Sequence, residues 1–120
     1  MIGRVDNAWR ALVDVELRRT LDGASSTIAV WVDTGFTGDL VLPQSMIDDM
    51  ALEQSGTVSA TLADGSRTAL STYECFILWF DQWKRLEVVA NQGTNPLLGV
   101  GLFLERALTI DFRTRRLTLE

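Results

Sequence analysis

From Ala11 to Arg19 apolar and polar residues alternate, with Val13, Val15 and Leu17 on one face and Asp14 and Glu16 on the other, the period-two pattern of a half-exposed β-strand. Leu21-Asp22-Gly23-Ala24 supplies turn chemistry, and the apolar, β-branched run from Thr27 to Val32 predicts a second strand returning as a hairpin. Leu40-Val41-Leu42-Pro43 reads as a short extended piece. Ser45 is placed to cap a short helix through about Leu52, with Asp48 and Asp49 in its first turn. Val58 to Leu70 predicts a second hairpin about Asp64-Gly65, the residue pair with the strongest short-range turn signal. Thr72 to Phe80 and Leu86 to Ala90 predict two more strands, with Asp81-Gln82-Trp83-Lys84 turning between them. A short helix is expected over about Leu102 to Ala107. Two closing strands follow, Leu108 to Phe112 and Leu117 to Leu119, around a turn at Arg113-Thr114-Arg115. The pattern is mainly β and predicts one domain over residues 1–120, a closed β-barrel with one or two short helices.

One residue does not fit its surroundings. Asp33 stands at the end of the Thr27 to Val32 run, where an ionised carboxylate is costly to bury unless it is hydrogen-bonded or paired. The residues after it offer such partners. Gly35 can take up backbone conformations other residues resist and presents an unshielded amide, and Thr34 brings a hydroxyl that can tie the loop to a neighbour.

Composition narrows the chemistry. The 120-residue chain is long enough to bury roughly two-thirds of its unfolded surface, and 47% hydrophobic with 22% charged residues is the balance of a folded globular protein. A net charge of -5 and a pI near 4.6 argue against nucleic-acid or anionic-membrane partners; the Arg113, Arg115, Arg116 cluster reads as a solvated strand face. No apolar stretch approaches the roughly 18 residues of a membrane span, and the start, Met1 to Asp6, lacks the apolar core of a signal peptide, so a cytoplasmic location is expected. There is no histidine, which excludes Ser-His-Asp and Cys-His catalysis and most zinc sites within one chain. The single Cys75 lies in an apolar run and reads as a buried, inert thiol. The tryptophans read as packing residues, with Trp9 in a polar N-terminal segment open to an interface role. No metal or other cofactor is expected.

A second segment gives Asp33 a context. Asn95-Pro96-Leu97-Leu98-Gly99-Val100-Gly101-Leu102 places two leucines before a glycine. The combination of Val32-Asp33-Thr34-Gly35 with Leu97-Leu98-Gly99 resembles the retropepsin-like aspartic proteases, single-domain relatives of retroviral protease and of each pepsin lobe. The resemblance extends from about Ala11 to the end of the chain. Asp33-Thr34-Gly35-Phe36-Thr37-Gly38 is more similar to the small bacterial members than to the viral ones, which usually carry Ala or Ser where this chain has Phe36. The viral Arg after the late glycine is here Val100.

The resemblance implies an aspartic endopeptidase. Asp33, Thr34 and Gly35 would form the catalytic loop, and Asp33 of two identical chains would meet across a two-fold axis to activate one water, so that the active form is a homodimer. Thr34 would bond across the dyad, Gly35 would let its backbone approach the carboxylates, and Leu97, Leu98 and Gly99 would pack behind the loop. Phe36 would lie near the cleft, and the hairpin residues Leu62, Ala63, Asp64, Gly65 and Ser66 would form a flap over an extended peptide or protein substrate. In the viral pattern both chain ends interleave in a sheet shared between subunits, an arrangement that Met1 to Trp9 and Thr118 to Glu120 need not adopt. Two other readings remain open at the level of sequence. One is a catalytically inactive dimeric module that keeps the fold for peptide binding or assembly. The other, a phosphate-binding turn of the actin-like kind, is disfavoured by the lack of a second acidic motif, of a Walker-type Lys and of β-α alternation.

Overall fold

The computed structural model describes residues 1–120. Ten strands run in chain order: β1 Ile2–Val5, β2 Ala11–Arg18, β3 Ser25–Val32, β4 Leu40–Pro43, β5 Glu53–Thr61, β6 Arg67–Trp79, β7 Gln82–Asn91, β8 Leu97–Leu98, β9 Leu108–Asp111 and β10 Arg116–Leu119. One α-helix, α1 Gln44–Met50, follows β4, and a single 3-10 turn covers Val100–Leu102. The strands form one sheet in the order β5-β6-β7-β4-β8-β3-β2-β1-β10-β9, and β2 also pairs with β6, so the hydrogen-bonded path from β6 through β7, β4, β8 and β3 to β2 returns on itself.

The alternation in the sequence sets which side chains enter the core. Val13, Val15 and Leu17 of β2 are buried, as are Val30 and Val32 of β3, Cys75, Ile77 and Trp79 of β6, Leu86, Val88 and Ala90 of β7, and Leu117 and Leu119 of β10. All of β4 is buried, because it is flanked by β7 and β8 and has Ile47 of α1 and Leu52 beneath it in the same cluster. The expected β2–β3 hairpin forms, with Val13 opposite Val30 and Val15 opposite Ile28.

Several boundaries differ from the expected ones, each for a physical reason. Ser45 does not cap the helix. Pro43 does, while still paired with Asn91 in the sheet; its φ of -56° already suits a helix start, so α1 begins two residues earlier and Asp48 and Asp49 fall outside its first turn. The second helix reduces to the 3-10 turn, since Phe103 and then Glu105, at φ 63°, turn the chain away. The turn before β7 is Phe80-Asp81, both at positive φ in the manner of a two-residue hairpin, rather than the four residues from Asp81 to Lys84. The second hairpin is longer than its central signal: β6 continues through the strand expected from Thr72 to Phe80. The polar N-terminal segment contributes β1, which pairs with β10 and β2, so both ends of the chain lie in the chain's own sheet. Of the basic cluster, Arg115 packs over the Trp9 ring at 4.2 Å. No helix is long and apolar enough to cross a membrane.

Candidate active site

β3 delivers Asp33 to the start of a tight turn, and β8 holds that turn in place. Because β8 lies between β3 and β4, parallel to one and antiparallel to the other, it meets the chain on both sides of the turn, pairing Val32 with Leu98 and Leu40 with Leu98. The backbone N–H of Asp33 donates to the Leu98 carbonyl at 2.9 Å, and that of Trp31 to the Pro96 carbonyl at 2.9 Å. In return Gly99 N–H donates to Asp39 O (2.8 Å), Val100 N–H to Phe36 O (2.8 Å) and Gly101 N–H to Gly38 O (2.9 Å). The loop from Asp33 to Asp39 is thus fastened along its whole length to the second motif.

The close approach explains the glycine in that motif. A Cβ on Gly99 would run into the Gly38 carbonyl oxygen and the Phe36 ring, so no larger residue fits without moving the loop. Within the turn, the Gly35 N–H donates to Asp33 Oδ1 at 2.9 Å, and the Phe36 N–H to the Asp33 carbonyl at 3.2 Å. The half-buried Asp33 therefore has one oxygen held by a backbone amide, while Oδ2 has no hydrogen-bond partner within the chain. Thr34 is exposed beside it.

A cleft of about 510 Å³ opens beside this loop, between Gly35–Asp39 and the hairpin formed by β5 and β6. It is lined by Gly35, Phe36, Thr37, Gly38 and Asp39 of the loop, by Val58, Ser59, Ala60, Thr61 and Leu70 of the hairpin, and by Glu87 and Val89 of β7, which pairs with β4 directly after the loop. The hairpin stands away from the core, with most of β5 exposed.

Comparison with solved structures identifies the architecture. A retropepsin-like aspartic protease from Rickettsia conorii superposes with a TM-score of 0.67 over 99% of this chain and 88% of that one, at 16% sequence identity. The chain has a retropepsin-like fold. The EIAV protease in complex with the inhibitor HBY-793 shares this fold, with a TM-score of 0.57 over 80% of this chain and 86% of its own, at 13% identity. No protein-family model and no curated protein matches the chain by sequence.

Within the retropepsin-like fold the expected site residues separate into two groups. Asp33, Thr34, Gly35 and Phe36 stand together on the fastened loop, and Phe36 lines the cleft. Leu62, Ala63, Asp64, Gly65 and Ser66 are all exposed at the far tip of the β5–β6 hairpin and are not part of the cleft wall. The tip is internally ordered: Leu62 N–H donates to Ser66 O (2.7 Å), and the Ser66 N–H and hydroxyl both donate to Asp64 Oδ1 (2.9 and 2.6 Å). The Ser66 hydroxyl bond, with the Ser66 amide second, holds the Asp64 carboxyl below its ordinary range.

Sequence reasoning missed the cleft's far wall. Val58, Ala60 and Leu70 lie within the hairpin it foresaw, but it takes the pairing of β7 with both β6 and β4 to bring Glu87 and Val89 to the same place. Cys75 is where the apolar run put it, fully buried, and burial, with a smaller contribution from the Glu74 charge, pushes its thiol up to about 12.

A polar cluster supports the strands leading to the site. Arg10 pairs with Asp6 at 2.7 Å, donates to Asn95 Oδ1 at 2.9 Å just before β8, and lies over the Trp31 ring at 5.9 Å. It ties the β1–β2 turn to both strands from which the Asp33 loop is suspended.

Proposed function

We propose that this protein is an aspartic endopeptidase, active as a homodimer in which Asp33 of two copies share one water. The observation that carries the reading is the Asp33 loop itself. Its carboxylate is held by the Gly35 amide at one oxygen and open at the other, on a turn bolted to β8 at the edge of a peptide-sized cleft. The likeness in fold to the Rickettsia conorii and EIAV proteases supports it.

The chemistry follows from two carboxylates held close together, which cannot both ionise easily and so hold one proton between them. The ionised one takes a proton from water as the water oxygen bonds to the peptide carbonyl carbon; the protonated one gives its proton to the carbonyl oxygen. Collapse of the tetrahedral intermediate breaks the C–N bond, and the proton passes to the departing amine. Thr34, exposed next to Asp33, would bond across the two-fold axis to the second copy, and Gly35 would let its backbone approach the two carboxylates. The β5–β6 hairpin acts as the flap, with Leu62, Ala63, Asp64, Gly65 and Ser66 at its tip closing over an extended peptide, and Phe36 lines the cleft beneath it. We take the ring of strands closed by the β2–β6 pairing as the barrel of a single domain spanning residues 1–120.

A second reading, a peptide-binding dimer without catalysis, draws on Phe36 beside the candidate acid and on the pairing of β1 with β10 inside one chain, which occupies the ends that viral enzymes share between subunits. Sedimentation over a range of concentrations at pH 5 and pH 7, followed by incubation with a peptide pool at each pH, separates the two. A dimer that cleaves peptides, and loses cleavage in Asp33→Asn, supports the protease; a dimer that cleaves none supports the binding module.

A further inference from the structure

The cleft wall carries an unusual balance of groups. Phe36, Val58, Leu70 and Val89 are apolar, while its two charged residues, Asp39 and Glu87, are both acidic and no Lys or Arg lines it. Neither carboxylate belongs to any of the five ion pairs of the chain, which join Arg4 to Asp14, Arg10 to Asp6, Arg19 to Glu53, Arg85 to Glu74 and Arg113 to Asp111.

Glu87 is left unmatched by its own sheet. It lies directly opposite Glu74 in the β6–β7 pairing, an arrangement in which like charges destabilise each other. Arg85, the nearby cation, is committed to Glu74, with Nε at 2.8 Å from Oε1 and Nη2 donating to Oε2 at 3.2 Å. Glu74 and Glu87 thus share one nearby cation, which is ion-paired with Glu74 alone, and Asp39 lines the same cleft from the loop. A cleft lined by apolar side chains and two carboxylates outside any ion pair matches a side chain with a methylene stem and a cationic head. The net charge of -5 also draws cationic chains toward the surface as a whole.

We infer that this cleft selects peptides bearing a Lys or Arg side chain, the stem lying along Phe36, Val58, Leu70 and Val89 and the head meeting Glu87 and Asp39. The inference rests on the reading of the cleft as the peptide site, and it concerns specificity rather than the chemical step.

Binding measured on the Asp33→Asn protein, which leaves peptides whole, tests it separately from catalysis. The probes are short fluorescent, otherwise neutral peptides with a single Lys moved along the sequence, each paired with a counterpart carrying norleucine at the same place. At one position Lys should bind roughly two- to fivefold more tightly than norleucine, as expected for a partly solvated charge pair, and raised salt should erode the difference. Adding Glu87→Gln should remove most of the preference, and adding Glu87→Lys should turn it toward a Glu-bearing peptide. Equal or tighter binding of norleucine at every position overturns the inference, as does a Lys preference that persists in both Glu87→Gln and Asp39→Asn, or the failure of every peptide to bind. If the peptides bind with the expected preference but the unmodified protein cuts none, the protease reading fails and the specificity of the cleft stands.

Discussion

The Asp33 amide and the Leu98 carbonyl are joined by a 2.9 Å hydrogen bond, so the carboxylate proposed to do the chemistry takes its position from a segment far along the chain. Around that bond the two motifs lock: three N–H groups from Gly99 to Gly101 return to carbonyls of the Asp33 loop. Strand order makes this possible, because β8 is inserted between the strands that enter and leave the turn.

Replacing Gly99 by Ala is expected to unseat this lock. The new methyl group collides with the Gly38 carbonyl and the Phe36 ring, and an overpacking cost of about 2 kcal/mol corresponds to a fall in Tm of roughly 8 °C for a domain of this size. Thermal unfolding followed by circular dichroism checks it. An unchanged Tm would mean that the loop moves freely away from β8.

Asp33→Asn preserves the shape of the turn, since Asn Oδ1 still accepts the Gly35 N–H. Cleavage should disappear, while Tm shifts by no more than the equivalent of about 1 kcal/mol and sedimentation still gives a dimer. A variant that cleaves peptides at the original rate removes Asp33 from the mechanism.

Gly65 stands at φ 85° at the hairpin tip, with nothing near the position of an added Cβ, so Gly65→Val meets backbone strain but no clash. The strain should loosen the tip and raise KM for peptide, yet leave global Tm nearly unchanged because the tip is exposed and carries no core residue. A matching loss of global stability, read from the denaturation midpoint, would show instead that the hairpin folds as part of the core.

Cys75 should resist thiol reagents at neutral pH in the native protein and react at once in denaturant, because its buried thiol is pushed up from 9.0 to about 12. The sign for stability follows. Above pH 9 the unfolded thiol gives up its proton while the folded one keeps it, so this group's contribution to stability falls as pH rises from 9 toward 12. Cys75→Val should flatten that part of the pH profile. Rapid labelling of the native protein would place the thiol outside the core.

Much of this was legible in the residues. The alternation through β2, the β-branched run of β3 and the Asp64-Gly65 turn signal all act over a few residues, where side-chain periodicity and backbone preference decide the outcome locally. The prominence of Asp33 was equally local, since a carboxylate at the end of a buried strand demands a partner, and the Gly35 amide is that partner. Where local signals compete with a neighbouring element they fail. Ser45 is a good cap in isolation, but Pro43 is tied into the sheet through Asn91 and starts the helix first; β1 carries too little alternation to announce itself and exists because β2 and β10 offer it two edges.

What the amino-acid sequence determined by itself, then, is the mainly β character, the pair of motifs and the prominence of one acid at the end of a buried strand, because each depends on the order of neighbouring side chains. Tertiary structure alone decided that β8 threads between β3 and β4, that the chain ends pair with each other, and that Glu87 lines one cleft with Phe36 and Asp39. Those relations join residues distant along the chain through backbone hydrogen bonds, which every residue but proline can donate and accept, and so they leave no trace in the local pattern.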